Sequence, residues 1–374
     1  MKGDFSKWRF DATDNHAGVL HQQGKVLLDS DWNSAARIQG HWNATLGRDA
    51  MGAFTAAFPT GEANAFKVTE ASADGTRTTV KLLPGRLWAD GILVHKGPGP
   101  DLVAEPLGLP FQTPPPAGSA GAGTRDAVLL EVWEEALHGF QEPVHLIEPA
   151  LGGPDTTERI QVAMGLKLLR LEAGEDCDSI GAKIQDDLGS RGRLTVTPKP
   201  EVVLGSDCPV QAGGGYTGFE HRLYRIEVAE PAGGKARIKW SQFNGGLVGR
   251  GRFDSVASRV RITANDQMIN HSGLSSFYLE ALRFEPAFGH WRVHFTAEAT
   301  LAADGELALA NIQGTWPVAG SSAFFRLWNG IALVETFPKG VVNPTELKDG
   351  IRLELDAPAA DLSNYVPGNY WAFP

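Results

Sequence analysis

Short apolar segments separated by turn residues recur from residue 127 onward, and they constrain the fold more than any other feature. Each has the length of a β-strand and is rich in β-branched or aromatic residues, and 44 glycines and 23 prolines supply turns. The predicted strands are 127–133, 160–171, 223–228, 236–240, 260–263, 276–284, 291–297, 306–310, 323–327 and 351–355. Periodicity alone leaves 160–171 open to a helix, and its β-branched start favours a strand. The strands 223–228 and 236–240 are predicted to form a hairpin joined by residues 231–234, which include Gly233 and Gly234. Strands at this spacing predict a mainly β chain that contains a sandwich or barrel.

One helix is predicted near the start of the chain. Apolar residues at Trp32, Ile38, Trp42 and Leu46 follow a helical spacing, and the preceding Asp29–Asp31 are good N-cap residues. The pattern predicts a helix over 30–47. Its two tryptophans are expected to be buried. They pack either on the chain's own core, or at an oligomer axis or on a partner.

The domain organisation follows from changes of pattern along the chain. Strands are predicted at 78–83 and 86–95, with Pro84 and Gly85 as the turn between them. The predicted units are an N-terminal segment with the helix, a small β domain, a Pro/Gly/Ala-rich linker or loop, and a β-rich, sandwich-like region. Their bounds are 1–60, 61–105, 106–125 and 126–374, and the last can divide into two subdomains near residue 250.

Charge and hydropathy exclude several classes of protein. The net charge is −10, which argues against nucleic-acid binding because phosphate backbones would be repelled. No apolar stretch approaches the length of about 20 residues that spans a bilayer, and the first residues lack a signal-peptide core. The sequence therefore predicts a protein that is cytoplasmic at synthesis, without direct membrane insertion.

The two cysteines, Cys177 and Cys208, leave two alternatives open. They are either free thiols, as expected in the cytoplasm, or a disulfide formed after release into an oxidising medium. No further ligands lie at zinc-site spacing, so no metal and no cofactor are predicted.

Motifs that would indicate catalysis are absent or incomplete. The Gly-rich stretch 118–123 lacks the Lys-Ser/Thr of a phosphate loop, and no Gly-x-Ser-x-Gly elbow occurs. His290 and His294 fall on a predicted strand, which favours a surface pair over a metal site. Glu131, Glu134 and Glu135 surround Trp133 but are neighbours on one strand, which rarely gives a glycosidase pair. We therefore predict that the chain is not an enzyme.

The residues themselves leave two candidate functions open. The first is a glycan-binding module in which Trp88, Trp133 or Trp240 provides a stacking platform for a sugar. The second and lesser alternative is a glycan hydrolase.

Eight strings spread along the whole chain carry a resemblance to one family. They are MKGDF at 1–5, HQQGKVLLDSDWN at 21–33, LPGRLWADG at 83–91, LEVWEE at 130–135, EPALGGPDTT at 148–157, GGGYTGFEHRLYRIE at 213–227, KWSQFN at 239–244 and PGNYW at 367–371. Together they resemble an uncharacterised bacterial family described as phage-tail-like, whose members are encoded beside contractile injection systems and phage tails.

The resemblance implies a structural subunit of such a particle, acting as a fibre, spike or adaptor attached to the baseplate or tail. Expected partners are other tail or baseplate proteins and further copies of this chain, with a trimer favoured, and a cell-surface glycan is a further candidate. The resemblance makes residues 1–60 the attachment segment, and the predicted assembly contacts within it are Trp32, Ile38, Trp42 and Leu46.

The resemblance also has implications for the particle, for the cysteines and for the end of the chain. The assembled particle would be released from the cell or stay anchored in it. The family tends to place cysteines where Cys177 and Cys208 stand, which favours the disulfide more than composition alone does. Relatives usually continue beyond the position of Trp371, which implies either a short member without a receptor-binding tip or a shortened chain. The resemblance supplies no catalytic residues.

Overall fold

The computed structural model describes residues 2–3, 5, 10–52, 55–74, 77–106, 125–176, 179–181, 184, 192–198, 223–342, 344–347, 350–356 and 362–373. Most of the predicted linker 106–125 lies outside the described residues, as do Cys177 and Cys208. The linker and the state of the two thiols therefore stay predictions.

The chain is mainly β, as its sequence predicts, with a helix near its start and several sheets. The described α-helices are α1 Asp29–Met51, α2 Pro143–Leu146 and α3 Asp266–Asn270. The first strands are β1 Ala56–Ala57, β2 Val68–Ala73, β3 Thr78–Leu82, β4 Gly85–Ala89, β5 Ile92–Lys96, β6 Leu102–Pro106, β7 Asp126–Leu137, β8 Arg159–Arg170 and β9 Leu194–Pro198. The later strands are β10 Tyr224–Ala232, β11 Lys235–Ser241, β12 Leu247–Asp254, β13 Arg259–Ala264, β14 Ser276–Glu285, β15 His290–Leu301, β16 Leu307–Gly314, β17 Ser322–Trp328, β18 Gly330–Leu333, β19 Thr345–Glu346, β20 Ile351–Leu355 and β21 Tyr370–Phe373.

Helix α1 confirms the predicted helix and extends beyond it at the C-terminal end. The predicted capping by aspartates is wrong in detail, because Leu28 occupies the N-cap position without a side-chain cap. Asp29 and Asp31 lie in the first turn instead, where their negative charges are favourable beside the positive end of the helix dipole. The helix ends at Gly52, whose φ of 93° suits a glycine.

A five-stranded sheet in the order β2-β3-β6-β8-β7 follows α1. β7 and β8 pair antiparallel over their full length of twelve residues, and β6 lies parallel to β8. Val80, Leu102 and Leu166 are buried together on one face of this sheet. The prediction of a strand over 160–171, which periodicity left open to a helix, is confirmed by β8.

The segment predicted as one strand over 86–95 is a hairpin. β4 and β5 are joined at Asp90 and Gly91, whose φ angles of 47° and 81° are both left-handed, as a two-residue hairpin turn requires. Pro84 and Gly85 do not join two paired strands, because β3 and β4 belong to different sheets. Asp90–Gly91 was a stronger turn signal in the sequence than Pro84–Gly85.

Strands β12-β13-β16-β15-β14-β17, all within the gap-free range 223–342, close into a barrel. Its interior is filled by buried aromatic and aliphatic side chains, with Phe253 packing edge-on against Phe295 and Phe325. A barrel closes without leaving sheet edges open to other chains.

One barrel strand, β12, was not predicted from the sequence. Gly249 and Gly251 interrupt its apolar pattern and weaken the strand signal. A β-carbon at Gly249 would lie 3.0 Å from the ring of Phe325, and one at Gly251 would collide with Val260. The glycines thus make room for the aromatic core of the barrel.

Two further sheets share a second core. The sheet β18-β11-β10-β21 and the sheet β19-β20-β9 both contribute to it, with Ile226 and Ile238 from the first and Leu353 from the second. The predicted hairpin at 223–240 is confirmed by β10 and β11, which turn at Gly233 and Gly234.

The barrel is inserted between strands of the second core. β10 and β11 precede it and β18 to β21 follow it, yet they pack together. The predicted division near residue 250 therefore falls close to the start of β12, and the chain returns to the second core after β17. The predicted domain bounds themselves stay predictions.

Candidate functional site

α1 is fastened to the turn between β4 and β5 by an ion pair and by close backbone contact. The Arg48 guanidinium donates to both carboxylate oxygens of Asp90, with N–O distances of 3.0 and 2.7 Å. A β-carbon added to Gly47 would lie 2.7 Å from the Cα of Gly91, so a glycine is needed there for helix and turn to approach this closely. The turn therefore fixes the C-terminal half of α1.

The predicted apolar stripe of α1 is divided between the interior and the surface. Ile38 is 3% exposed, whereas Trp32, Trp42 and Leu46 are 61%, 56% and 69% exposed. Ile38 therefore belongs to the chain's own interior and cannot contact a partner while the helix stays in this position. Trp32 and Trp42 lie about 15 Å apart along the helix axis, because each residue adds about 1.5 Å.

The segment before α1 also exposes apolar side chains. Four aliphatic side chains there are more than half exposed, namely Leu20, Val26, Leu27 and Leu28. The term exposed α1 face is used below for Leu27, Leu28, Trp32, Trp42 and Leu46.

The exposed α1 face carries little charge. Between Trp32 and Leu46 the sequence contains Arg37 and no other Lys, Arg, Asp or Glu. The Arg37 guanidinium lies 3.9 Å from the Glu134 carboxylate of β7. Covering the face therefore requires little desolvation of charged groups, which is a property of the central parts of protein interfaces.

A cavity of about 540 Å³ lies beside the first turn of α1. Four parts of the chain line it, namely residues 3 and 5, the start of α1, the connection between β7 and β8, and the barrel region. The term junction cavity is used below for this space, whose lining includes Phe5, Asp29, Trp32, Asn33, His138, Asp155, Glu158, Asn265 and Arg326.

His138 is buried between two carboxylates of the junction cavity. Its Nδ1 lies 3.0 Å from an Asp155 oxygen and its Nε2 lies 3.6 Å from a Glu158 oxygen. Burial, together with the charge of Arg326, lowers the pKa of His138 to about 3. The ring is thus neutral at pH 7. Because it stands between the two carboxylates, they do not flank an open space as a glycosidase pair does.

The described residues hold neither a metal-binding cluster nor a membrane-spanning helix. No group of three or more His, Cys, Asp or Glu side chains in the described part of the chain is arranged to hold a metal ion. No helix among the same residues combines the length and the apolar character that crossing a membrane requires.

A buried ionic network anchors the N-terminal segment beside the junction cavity. The Lys2 ammonium lies 2.7 Å from a Glu227 carboxylate oxygen of β10. Lys239 of β11 links Glu227, at 3.1 Å, to Glu280 of the barrel, at 2.5 Å. The indole Nε1 of Trp328 donates to the other oxygen of Glu280 at 2.7 Å. The network joins the N-terminal segment, the second core and the barrel.

A family model described as a family of unknown function matches residues 1–193, about half of the chain. The chain belongs to the DUF6519 family. No curated protein and no solved structure matches the chain. The DUF6519 match includes α1, the Asp90–Gly91 turn and His138, whereas Asn265 and Arg326 lie beyond it. The junction cavity is thus built from the DUF6519 region together with the barrel region.

The three tryptophans predicted as sugar platforms lie in different surroundings. Trp88, in the DUF6519 region, lines a second cavity of about 440 Å³ together with Phe58 and Arg86. Trp133 stands edge-on to the His290 ring at 5.0 Å. Trp240 packs against the second core, and a β-carbon on Gly330 would collide with its indole. A sugar-binding role stays a prediction for all three, and the packing of Trp133 and Trp240 does not favour it.

The glutamates around Trp133 do not converge in a cleft. Glu131 and Glu135 lie four residues apart on β7, which corresponds to about 13 Å along a strand and exceeds the spacing of glycosidase carboxylates. Burial raises the pKa of both carboxyls. The Lys167 ammonium lies 4.0 Å from Glu131 and opposes its shift. The arrangement gives no support to hydrolysis, and the absence of an enzymatic activity stays a prediction.

His290 and His294 do not form the predicted surface pair. His290 is buried where the barrel meets the five-stranded sheet of the DUF6519 region, and its Nδ1 lies 3.0 Å from the Phe288 carbonyl oxygen. His294 is half-buried, with Nε2 3.0 Å from Glu285. The prediction failed because strand periodicity does not reveal which face of a barrel strand a second sheet covers.

Proposed function

We propose that this chain is a structural subunit of a contractile injection system or phage-tail-like particle. It attaches through the exposed α1 face to a tail or baseplate protein and acts as a fibre, spike or adaptor. The observation that carries the proposal is the exposure of Trp32 and Trp42 on a helix that is itself firmly fastened. The particle assignment draws on the eight strings that resemble the phage-tail-like family.

The composition of the exposed α1 face suits a protein partner. Tryptophan is enriched among the interface residues that contribute most of the binding energy. Trp42 and Leu46 present a large apolar area. Burying apolar area contributes about 25 cal/mol per Å², so leaving these side chains in water is unfavourable. Since the Asp90–Gly91 turn holds the helix, little conformational freedom is lost on binding.

The proposal includes self-association as a trimer. Copies arranged around an axis would bring their exposed α1 faces together and bury the tryptophans. The chain would be made in the cytoplasm and assembled into a particle that is released or stays anchored in the cell. A monomeric mass of the purified chain in light scattering would contradict the trimer and leave the attachment to a tail or baseplate protein to the next experiment.

The attachment is tested by the substitution Trp42→Asp. We expect the amount of this protein on purified particles to fall at least about tenfold, because loss of a central interface tryptophan commonly costs 2 kcal/mol or more. The measurement is quantitative mass spectrometry of particles isolated from cells that express the variant.

The matched control is Val256→Asp, at an exposed position in the turn between β12 and β13, far along the chain from α1. It introduces the same charge at an exposed apolar site and should leave occupancy unchanged. Circular dichroism of both purified variants checks that they fold. Wild-type occupancy of Trp42→Asp on intact particles would contradict the proposed attachment.

A further inference from the structure

The junction cavity has the size and position of a ligand site. Its volume of about 540 Å³ falls within the range of about 300–1,000 Å³ that is usual for small-molecule pockets. It lies where the DUF6519 region meets the barrel region, and such boundaries between structural units are frequent locations of ligand sites. This space lies beside the exposed α1 face and shares Trp32 with it, so a ligand in the cavity and a partner on that face would compete for this tryptophan.

The polar lining offers both donors and acceptors of hydrogen bonds. Asn33 and Asn265 bring amides, Arg326 brings a guanidinium, and Thr156 and Thr157 bring hydroxyls. The Asn265 amide nitrogen also donates to the Val248 carbonyl oxygen, and the Arg326 guanidinium donates to the Gly245 carbonyl oxygen. The carboxylates of Asp29, Asp155 and Glu158 add strong acceptors. A ligand that carries several hydroxyl groups can use this mixture, because each hydroxyl both donates and accepts.

The charges that line the cavity nearly cancel. Three carboxylates face Arg159 and Arg326, and His138 is neutral at pH 7 because burial lowers its pKa. A phosphate would meet the carboxylates and a polyamine would meet the guanidinium groups. A near-neutral balance therefore favours an uncharged polar ligand over a strongly charged one.

An aromatic ring stands at the edge of the same cavity. Trp32 both lines the cavity and is largely exposed, and its indole lies 5.5 Å from the ring of His21. Phe5 contributes a second aromatic side chain to the lining. An indole offers a flat apolar face on which the C–H face of a sugar ring can stack.

From these observations we infer that the junction cavity binds an uncharged saccharide, with Trp32 stacking on a sugar ring and Asn33 and Asn265 hydrogen-bonding its hydroxyl groups. The site differs from the tryptophans that the sequence suggested as sugar platforms. It combines residues of the DUF6519 region with residues about 230 positions further along the chain, counting from Asn33 to Asn265.

The experiment begins with the full chain on a glycan array of mono- and oligosaccharides, and the sugar with the strongest signal is then titrated by calorimetry. Trp32→Ala should weaken binding about tenfold or more, since tryptophans dominate binding at such sites. Asn33→Ala should weaken binding in the same direction and places a good helix former in α1.

Two matched tryptophan variants locate the site. Trp42→Ala removes an equally exposed tryptophan from the same helix, outside the junction cavity, and should leave the dissociation constant within about twofold. Trp88→Ala removes the ring of the second cavity and should also have no effect.

Hydrogen exchange with the titrated sugar gives a readout that does not depend on any variant. We expect increased protection of the amides at 29–33 and 155–159. Absence of binding to every sugar on the array, binding unchanged by both Trp32→Ala and Asn33→Ala, or binding lost in Trp88→Ala instead would each overturn the inference.

Discussion

Lys239 shows how single residues connect the barrel to the second core. Its ammonium is buried between the carboxylates of Glu227 and Glu280 and lies 4.5 Å from the centre of the Trp328 ring. Burial alone would lower its pKa, but the two carboxylates outweigh burial and raise the pKa above the ordinary value. The ammonium therefore stays charged, and it compensates carboxylates that would otherwise be buried without enough positive charge.

Substitution Lys239→Met should lower the free energy of unfolding by about 3 kcal/mol or more, because it leaves buried carboxylates undercompensated. Lys235→Met is the matched control on the same strand, since Lys235 pairs with Glu335 at the surface and such pairs contribute about 0–1 kcal/mol. Urea unfolding followed by tryptophan fluorescence measures both. Equal unfolding midpoints for the two variants would contradict a stabilising role of the buried network.

At the scale of elements, the position of α1 depends on the turn between β4 and β5. Gly91 has a φ of 81°, and a β-carbon there would collide with the carbonyl oxygen of Ala44 in the helix. The same turn carries Asp90, which pairs with Arg48. Two left-handed residues thus form the hairpin and fasten the helix at once.

Gly91→Ala should loosen α1, because the added methyl group is strained at this φ and meets the helix backbone. We expect a loss of about 2 kcal/mol or more in local stability. Hydrogen exchange of the amides at 42–51, compared with those of the barrel, measures this directly. Gly97→Ala is the control, since a β-carbon there meets nothing within 4 Å. The same exchange rates in both variants would show that the turn does not hold the helix.

At the scale of the whole molecule, the barrel and the five-stranded sheet meet around buried charges. Glu105 of β6 is paired with Lys167 of β8 at 3.0 Å and with Arg292 of β15 at 2.9 Å. His290 lies beside them against Trp133. Burial lowers the pKa of His290 to about 4; Arg292 and Lys167 add to this, and the hydrogen bond to the Met164 carbonyl opposes it. The contact therefore requires an uncharged imidazole.

The free energy of unfolding should fall as the pH is lowered from about 6.5 to 4. In that interval the unfolded chain binds a proton at residue 290 that the folded chain does not bind, which costs up to about 3 kcal/mol in total. His290→Gln should flatten this dependence relative to wild type, whereas His16→Gln, at an exposed position, should not. Urea midpoints measured between pH 4 and 8 provide the comparison. Parallel pH profiles for wild type and His290→Gln would contradict a contribution of His290 to the pH dependence.

Local patterns in the sequence were sufficient for α1 and for many of the strands. The spacing of Trp32, Ile38 and Trp42 predicted α1, and the Gly233–Gly234 pair predicted the hairpin of β10 and β11. Helix periodicity and turn chemistry depend on neighbouring residues, so a single sequence contains them. Asp90–Gly91 carried an equally local signal for the hairpin of β4 and β5.

The sequence by itself thus determined that the chain is mainly β, with one helix near its start whose apolar stripe includes two tryptophans. Only the tertiary structure decided that Ile38 is buried and Trp42 exposed, because periodicity identifies an apolar stripe and does not identify what covers it. The barrel closes through pairings of strands far apart in the sequence, and the junction cavity is lined by residues as distant as Asn33 and Asn265. Contacts between residues so far apart are set by packing and strand register over the whole molecule, and no local pattern records them.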